Sequence, residues 1–298
     1  MSIRVNPNIL PDMVAGLTQT QQQLNEANQQ IASGRTINQP SDNPAGMAAL
    51  IMNHAVQSQT DTFTTNVSNL QDRLQTADSA LSSAVTAVNQ AISLGVEAGN
   101  STLSNVDRQA IVSQLSGIQQ QLISLSNTAY GGTYLFGGSL VETTPFALDS
   151  TSPNGVAYNG NSSVVSVEIE NGATVATNVP GDQLFLNPSG SLMGAIQELI
   201  IAIQNNSGID AASVTLGTAA SVFNGERVAY GSSLTQLQSM GNFLASQQAQ
   251  LATRENNIDA ADLAKASSTF SQASVAYQSL IEAEANILRL PNLLTLLQ

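Results

Sequence analysis

The sequence predicts a mainly α fold: long coiled-coil helical arms from both termini packed together as a rod, with a small inserted β-rich domain. Three observations carry this. Leucines recur every seven residues near both ends of the chain, a Gly-, Pro- and Asn-rich stretch with β-branched runs lies between them, and only 10% of residues are charged. Apolar residues spaced alternately three and four apart form the seam along which two helices wrap. The low charge leaves the other helix faces to Gln, Asn, Ser and Thr, which can be buried against a copy without stranding a charge.

In chain order, Leu10, Leu17, Leu24 and Ile31 mark a first helix. Gly34 reads as its C′ stop. A turn-rich connector follows, in which Ser41 or Asp42 caps a second helix with Pro44 in its first turn. That helix carries a seam of Val67, Leu70, Leu74, Ala77, Leu81, Ala84, Val88 and Ala91. Asn100 to Asn105 punctuates it, and Asp107 sits in the first turn of a third helix running Ile111, Leu115, Ile118, Leu122, Leu125 and Ala129.

Between residues 130 and 190 the pattern changes. Ser163 to Glu170 partly alternates, Asn171-Gly172 follows, and Thr174 to Val179 is the next run, which together read as a hairpin. Pro180-Gly181 reads as the next turn. A short amphipathic helix is expected at about Leu192 to Gln204. Leu237, Leu244, Leu251 and Ile258, then Leu263, Ala266, Phe270, Ala273, Tyr277 and Leu280, restore the heptad pattern, and Pro291 ends or kinks the last helix. The expected domains are 1–45 plus 262–298 for terminal assembly, 46–136 plus 191–261 as a helical rod, and 137–190 as a β-rich outer domain.

Composition excludes several functions. Lys+Arg is 8 against Asp+Glu 21, a net charge of −13, with Lys265 the one lysine. Such a chain has no electrostatic footprint for nucleic acid and suits no anionic membrane surface. Leu192 to Ile203, its most apolar stretch, is too short to span a bilayer, so no membrane insertion is expected. The start, MSIRVNPNILPDM, lacks the apolar core of a signal peptide. Cysteine is absent, which removes disulfides, thiolate nucleophiles and Cys-based metal sites.

His54 is the one histidine, so any Ser-His or Asp-His mechanism must use it; among Met47, Leu50 and Ile51 it reads as a packing or surface residue. Asp259 with Asp262, i,i+3 on one helical face, and Glu282 with Glu284 read as solvated carboxylates. Neither a phosphate-binding loop nor a dinucleotide fingerprint is present. No enzyme activity, cofactor or metal is expected.

The run Ile31-Ala32-Ser33-Gly34-Arg35-Thr36-Ile37-Asn38-Gln39-Pro40-Ser41-Asp42-Asn43-Pro44-Ala45-Gly46 closely resembles the N-terminal signature of the bacterial flagellin superfamily. Ile258-Asp259-Ala260-Ala261-Asp262-Leu263-Ala264 resembles the acidic entry to that family's last helix. Asn127 to Gly138, with Tyr134-Leu135-Phe136, and Thr143-Thr144-Pro145-Phe146 are similar to its hook-filament junction branch. Thr295 stands where an Asp often follows the final Leu-Leu.

The resemblance implies an extracellular flagellar protein exported without a cleaved signal, whose terminal arms fold as they polymerise. It assigns Leu10, Leu17, Leu24, Ile31, Phe270, Tyr277 and Leu280 to subunit packing. Gly34, Arg35, Asn38, Ser41, Asp42, Pro44 and Gly46 become a connector setting the angle between inner and outer layers, and Tyr134, Leu135 and Phe136 a family-marking strand that is also a buried one. Its implied partners are copies of itself, a preceding hook-associated protein, flagellin and an export chaperone. The rival expectations are a short flagellin and, more remotely, a secreted coiled-coil adhesin.

Overall fold

The computed structural model describes residues 9–289. The side chain of Leu10 and the break expected at Pro291 lie outside the described residues. The fold is mainly α, with small paired strands inserted between helices. The chain forms two compact units: one from the described parts of Met1–Ser58 and Gln248–Gln298, the other from Gln59–Gln247.

In the terminal unit, α1 (Ile9–Ser33) and α7 (Leu263–Arg289) pack along one another. Thr20 and Ala27 on α1, and Ala266 and Ala273 on α7, are buried; each pair is seven residues apart, as a coiled-coil seam requires. Leu17, Leu24, Tyr277 and Leu280 are half-buried. The helices approach closely because the seam is small: a Cβ on Gly16 would stand 3.8 Å from Leu280 Cδ1. The unit also holds the start of α2 (Pro44–Ala98) and the end of α6 (Ile209–Asp259).

The central unit is built differently. The seam predicted on α2, Val67 through Ala91, is buried throughout, together with Ile111, Leu115, Ile118 and Leu122 of α3 (Asn105–Ser126) and Leu237 and Leu244 of α6. Ser104 caps α3 in a full capping box with Asp107. The expected amphipathic helix is α5 (Leu192–Gln204), capped by Ser191.

α3 stops at Ser126, so Leu125 lies in its last turn and Ala129 opens a strand instead of continuing the seam. The cause is Asn127: its amide donates to Phe146 O (2.7 Å) and its Oδ1 accepts from Phe146 N (2.8 Å), tying the chain to a strand. Three separate antiparallel pairs follow: β1 (Ala129–Tyr130) with β2 (Thr133–Tyr134), β3 (Phe146–Leu148) with β4 (Val156–Tyr158), and β5 (Ser166–Glu170) with β6 (Ala173–Ala176). The predicted hairpin is β5–β6, turning at Asn171-Gly172 with Gly172 at φ 79°. Its strands are shorter than the sequence runs. Asn178 is the reason at the open end, where its side chain bridges Val165 N and Ser163 O.

Pro180-Gly181 is no free turn. Pro180 leads into a short helix, α4 (Gly181–Phe185), and Gly181 N donates to Phe136 O at 2.8 Å. A Cβ at 181 would lie 2.7 Å from that oxygen, so only glycine fits the approach. The strand expected over Tyr134, Leu135 and Phe136 ends at Tyr134; Leu135 and Phe136 bend inward and are fully buried. The Phe136 ring meets Phe185 edge-on at 5.5 Å. Phe185 in turn contacts Phe146 and Phe223, and Phe146 contacts Tyr158, a chain of T-shaped and tilted ring pairs.

Candidate functional site

The connector singled out in the sequence folds into a clasp within the terminal unit. Gly34 ends α1 at φ 70°, its N–H reaching Gln30 O (2.9 Å), which lets the chain reverse. Arg35 then pairs with Ala260 as an isolated antiparallel bridge between the α1–α2 and α6–α7 connectors. Thr36 N donates to Asp259 O (2.7 Å) and Ala261 N to Gly34 O (3.0 Å).

Asp259 is the centre of the clasp and is only 2% exposed. Its Oδ1 accepts from Ile37 N at 2.8 Å, and Arg35 Nε lies 2.6 Å from its Oδ2 as an ion pair, off the hydrogen-bonding direction. Arg35 also donates through Nη2 to Glu255 Oε1 (2.9 Å), and His54 Nε2 stands 3.0 Å from the same oxygen. The Glu255 carboxyl is held below its ordinary value of 4.5, first by the hydrogen bond from His54 and then by the His54 and Arg35 charges.

The rest of the connector is wound by its own polar groups. Asp42 Oδ2 accepts from Asn38 N (2.9 Å) and Gln39 N (2.8 Å), and Asn38 donates to Arg35 O. This corrects the capping expected of Ser41 or Asp42. Asn43 caps α2, its Oδ1 accepting from Gly46 N at 2.9 Å, because Asp42 is already turned back into the loop. Ser41 is exposed, and Pro44 is the first residue of α2. Gly46 is needed for packing: a Cβ there would lie 2.5 Å from Ile37 Cδ1, the buried apolar side chain of the connector.

The structure joins Gly34 and Arg35 to the Asp259 segment, while Asn38, Asp42 and Gly46 order the connector itself. Sequence reading missed Asp259, Glu255 and His54 as partners of this group. It placed Asp259 and Asp262 on one helical face, whereas Asp259 ends α6 and Asp262 starts α7, accepting from Ala264 N and Lys265 N at 3.0 Å each. The available signal was Asp262 followed by a helical run, which is an N-cap pattern and so implies a break before it. The packing residues are less enclosed than a closed pair would make them. Ile31 and Phe270 are each 38% exposed, with Val14, Val275 and Ile281 more open still. A polar groove of about 470 Å³ runs between Gln23, Gln30, Gln272 and Ala276. What this arrangement can do chemically is fix two chain reversals to one another and present a helix pair whose apolar residues are half covered.

Residues 8–140 match the family described as the bacterial flagellin N-terminal helical region. Flagellar hook-associated protein 3 of Salmonella typhimurium is 28% identical over 173 residues, 58% of this chain and 53% of that protein. A flagellin of Listeria monocytogenes is 29% identical over 127 residues, 42% of this chain and 44% of that one. The chain thus spans about half the length of the curated relatives it matches. Among solved structures, a flagellar hook-associated protein of Vibrio parahaemolyticus superposes with a TM-score of 0.67 at 18% identity, over 74% of this chain and 100% of that one. FlgL of Xanthomonas campestris gives 0.61 at 18%, over 68% and 99%. Residues 8–140 are thus similar in sequence to the N-terminal helical region of bacterial flagellins, and the fold is similar to that of the flagellar hook-associated proteins.

Proposed function

We propose that this protein is a structural component of the bacterial flagellum, an adaptor joining the hook, through another hook-associated protein, to the flagellin filament. The single observation that carries this reading is the terminal pair, α1 with α7. Its seam is regular, yet its larger apolar residues, Ile31 and Phe270 among them, stay open to solvent. Such a pair buries too little on its own to offset the entropy of ordering it, so neighbours complete the burial and folding is coupled to polymerisation.

In this reading Leu10, Leu17, Leu24, Ile31, Phe270, Tyr277 and Leu280 pack between subunits, and the Gly34 to Gly46 connector sets the angle between inner and outer layers of the assembly. The division into 1–45 plus 262–298, 46–136 plus 191–261, and 137–190 assigns assembly, rod and outer surface. The partners are copies of the chain, a preceding hook-associated protein, flagellin and an export chaperone; the place of work is outside the cell, reached without a cleaved signal; and the protein catalyses nothing. The flagellin matches favour one second reading, a short flagellin that builds the filament itself.

Electron microscopy of flagella from cells lacking the gene separates the two. Hooks without filaments, with flagellin free in the medium, support the adaptor. Loss of filaments that an overproduced second flagellin restores supports the filament reading. Normal filaments and junctions would overturn both.

A further inference from the structure

The sequence holds four Asn-Gly dipeptides, at Asn154, Asn159, Asn171 and Asn224. An Asn followed by Gly is chemically labile, because glycine's missing side chain lets its backbone nitrogen reach the preceding amide carbon. Attack by that nitrogen requires loss of its proton, so what the N–H is bonded to matters. At Gly225 the nitrogen belongs to the interior of α6. At Gly155 it donates to Ser152 O at 2.9 Å, a carbonyl that takes no proton, and the Asn154 side chain is engaged by Ser191 Oγ at 3.1 Å.

The β5–β6 turn differs. Gly172 N donates to Glu168 Oε1 at 3.0 Å, so the attacking nitrogen already shares its proton with a carboxylate. A base within hydrogen-bond reach of the proton it removes is the geometry of general base catalysis. Asn171 and Gly172 are both exposed, and a side chain at 172 would meet nothing within 4 Å. Water therefore has access to both residues of the turn.

We propose that Asn171 is a self-catalysed deamidation site, with Glu168 as the base. Glu168 takes the Gly172 N–H proton and the nitrogen bonds to Asn171 Cγ. The Cγ–Nδ2 bond breaks, and the amide leaves as ammonia carrying the proton passed through Glu168. The resulting five-membered imide is opened by a water molecule to aspartate or to isoaspartate. No oxidation state changes. The product places a new carboxylate beside Glu168 and Glu170 in a two-stranded hairpin, and the isoaspartate form lengthens the backbone within its turn. The modification therefore accumulates with age on the β insert and loosens that hairpin.

The experiment is peptide mapping by mass spectrometry of the full-length protein held at neutral pH. It follows the small mass gain from amide to acid and separates isoaspartyl peptides chromatographically. Asn171 is expected to convert several-fold faster than Asn154 and Asn224 in the same sample. Glu168→Gln, which keeps a hydrogen-bond acceptor but cannot take the proton, is expected to slow Asn171 several-fold while leaving the other sites unchanged. Conversion of Asn171 no faster than Asn154, or an unchanged rate in Glu168→Gln, would overturn the proposal.

Discussion

The two units use the same heptad grammar to different ends. In the central unit the core closes on large side chains: Phe136, Phe146, Phe185 and Phe223 are all essentially inaccessible, as are Leu74 and Leu81 of α2 and Leu115 and Leu122 of α3. In the terminal unit the buried positions are mostly small or polar, such as Thr20, Ala27, Asn53, Ala266 and Ala273, while Ile51, Met52, Phe270, Val275 and Ile281 face outward. Burial contributes roughly 25 cal/mol per Å² of apolar surface, so the central unit holds most of the intramolecular stability. Under the proposed function, the terminal unit keeps its apolar area for contacts with other subunits. Its order rests instead on directional polar links at the clasp. Heptad spacing therefore says where helices meet; the large side chains packed around the seam say whether the meeting is self-sufficient.

The largest effect that separates the units comes from paired Phe→Ala variants. Phe185→Ala removes a ring that touches three others and should cost the central unit about 4 kcal/mol, as large-to-small core changes do. Phe270→Ala, on a ring already 38% exposed, should change monomer stability by less than about 1 kcal/mol. Yet under the proposed function it should abolish or sharply slow polymerisation. Thermal unfolding measures the first, and light scattering of concentrated protein with electron microscopy the second. Equal losses of monomer stability would erase the distinction between the units.

How much of this was legible in the sequence follows from what kind of signal each feature leaves. The seams on α2, α3, α5 and α6 were readable because burial imposes a period on residue type, whereas on α1 the buried residues are Thr20 and Ala27 and the predicted Leu17, Leu24 and Ile31 are half-buried or exposed. The β5–β6 hairpin was readable from Asn171-Gly172. Several failures share a cause: a long-range polar contact, which leaves no local period. Asn127 bonding to Phe146 ends α3 early, and the approach of Gly181 to Phe136 turns an expected loop into α4. The clasp shows both sides. Gly34 and Pro44 announced a helix–connector–helix, because φ preference is local. The partners Asp259, Glu255 and His54 lie about 200 residues or more from the groups they bind.

The clasp supplies the next test. Asp259→Ala removes a buried carboxylate, its ion pair with Arg35 and the acceptor for Ile37 N; Arg35 itself is half exposed and can be rehydrated. The expected loss is about 2 kcal/mol, below the range for a fully buried pair for that reason. Hydrogen exchange should show it as faster opening at Ile37 and Thr36 while the Val67 to Ala91 seam stays protected. Uniform acceleration in both units would mean that they do not open separately. Gly34→Ala should cost about 1 kcal/mol, because φ 70° is a left-handed conformation alanine resists. The loss should appear in the same local exchange pattern.

The smallest effect is one of pH. Glu255 is depressed below 4.5 in the folded unit by His54 and Arg35. Where the folded group releases its proton more readily than the unfolded one, stability rises with pH. The Glu255 contribution is therefore complete above about 4.5, its ordinary value, and is lost as pH falls through the depressed value. A quarter of the Glu255 side chain is exposed and its partners are half exposed, so solvent screens the interaction and the slope is shallow. Comparing the opening rate of the Ile37 amide between wild type and Glu255→Gln over the acid range isolates it. The wild type should open progressively faster below pH 4.5, and the variant should show a flatter profile over the same interval. Identical profiles would mean that Arg35 and Asp259 alone hold the connectors together, with the His54–Glu255 contact an exposed ornament of the helix pair.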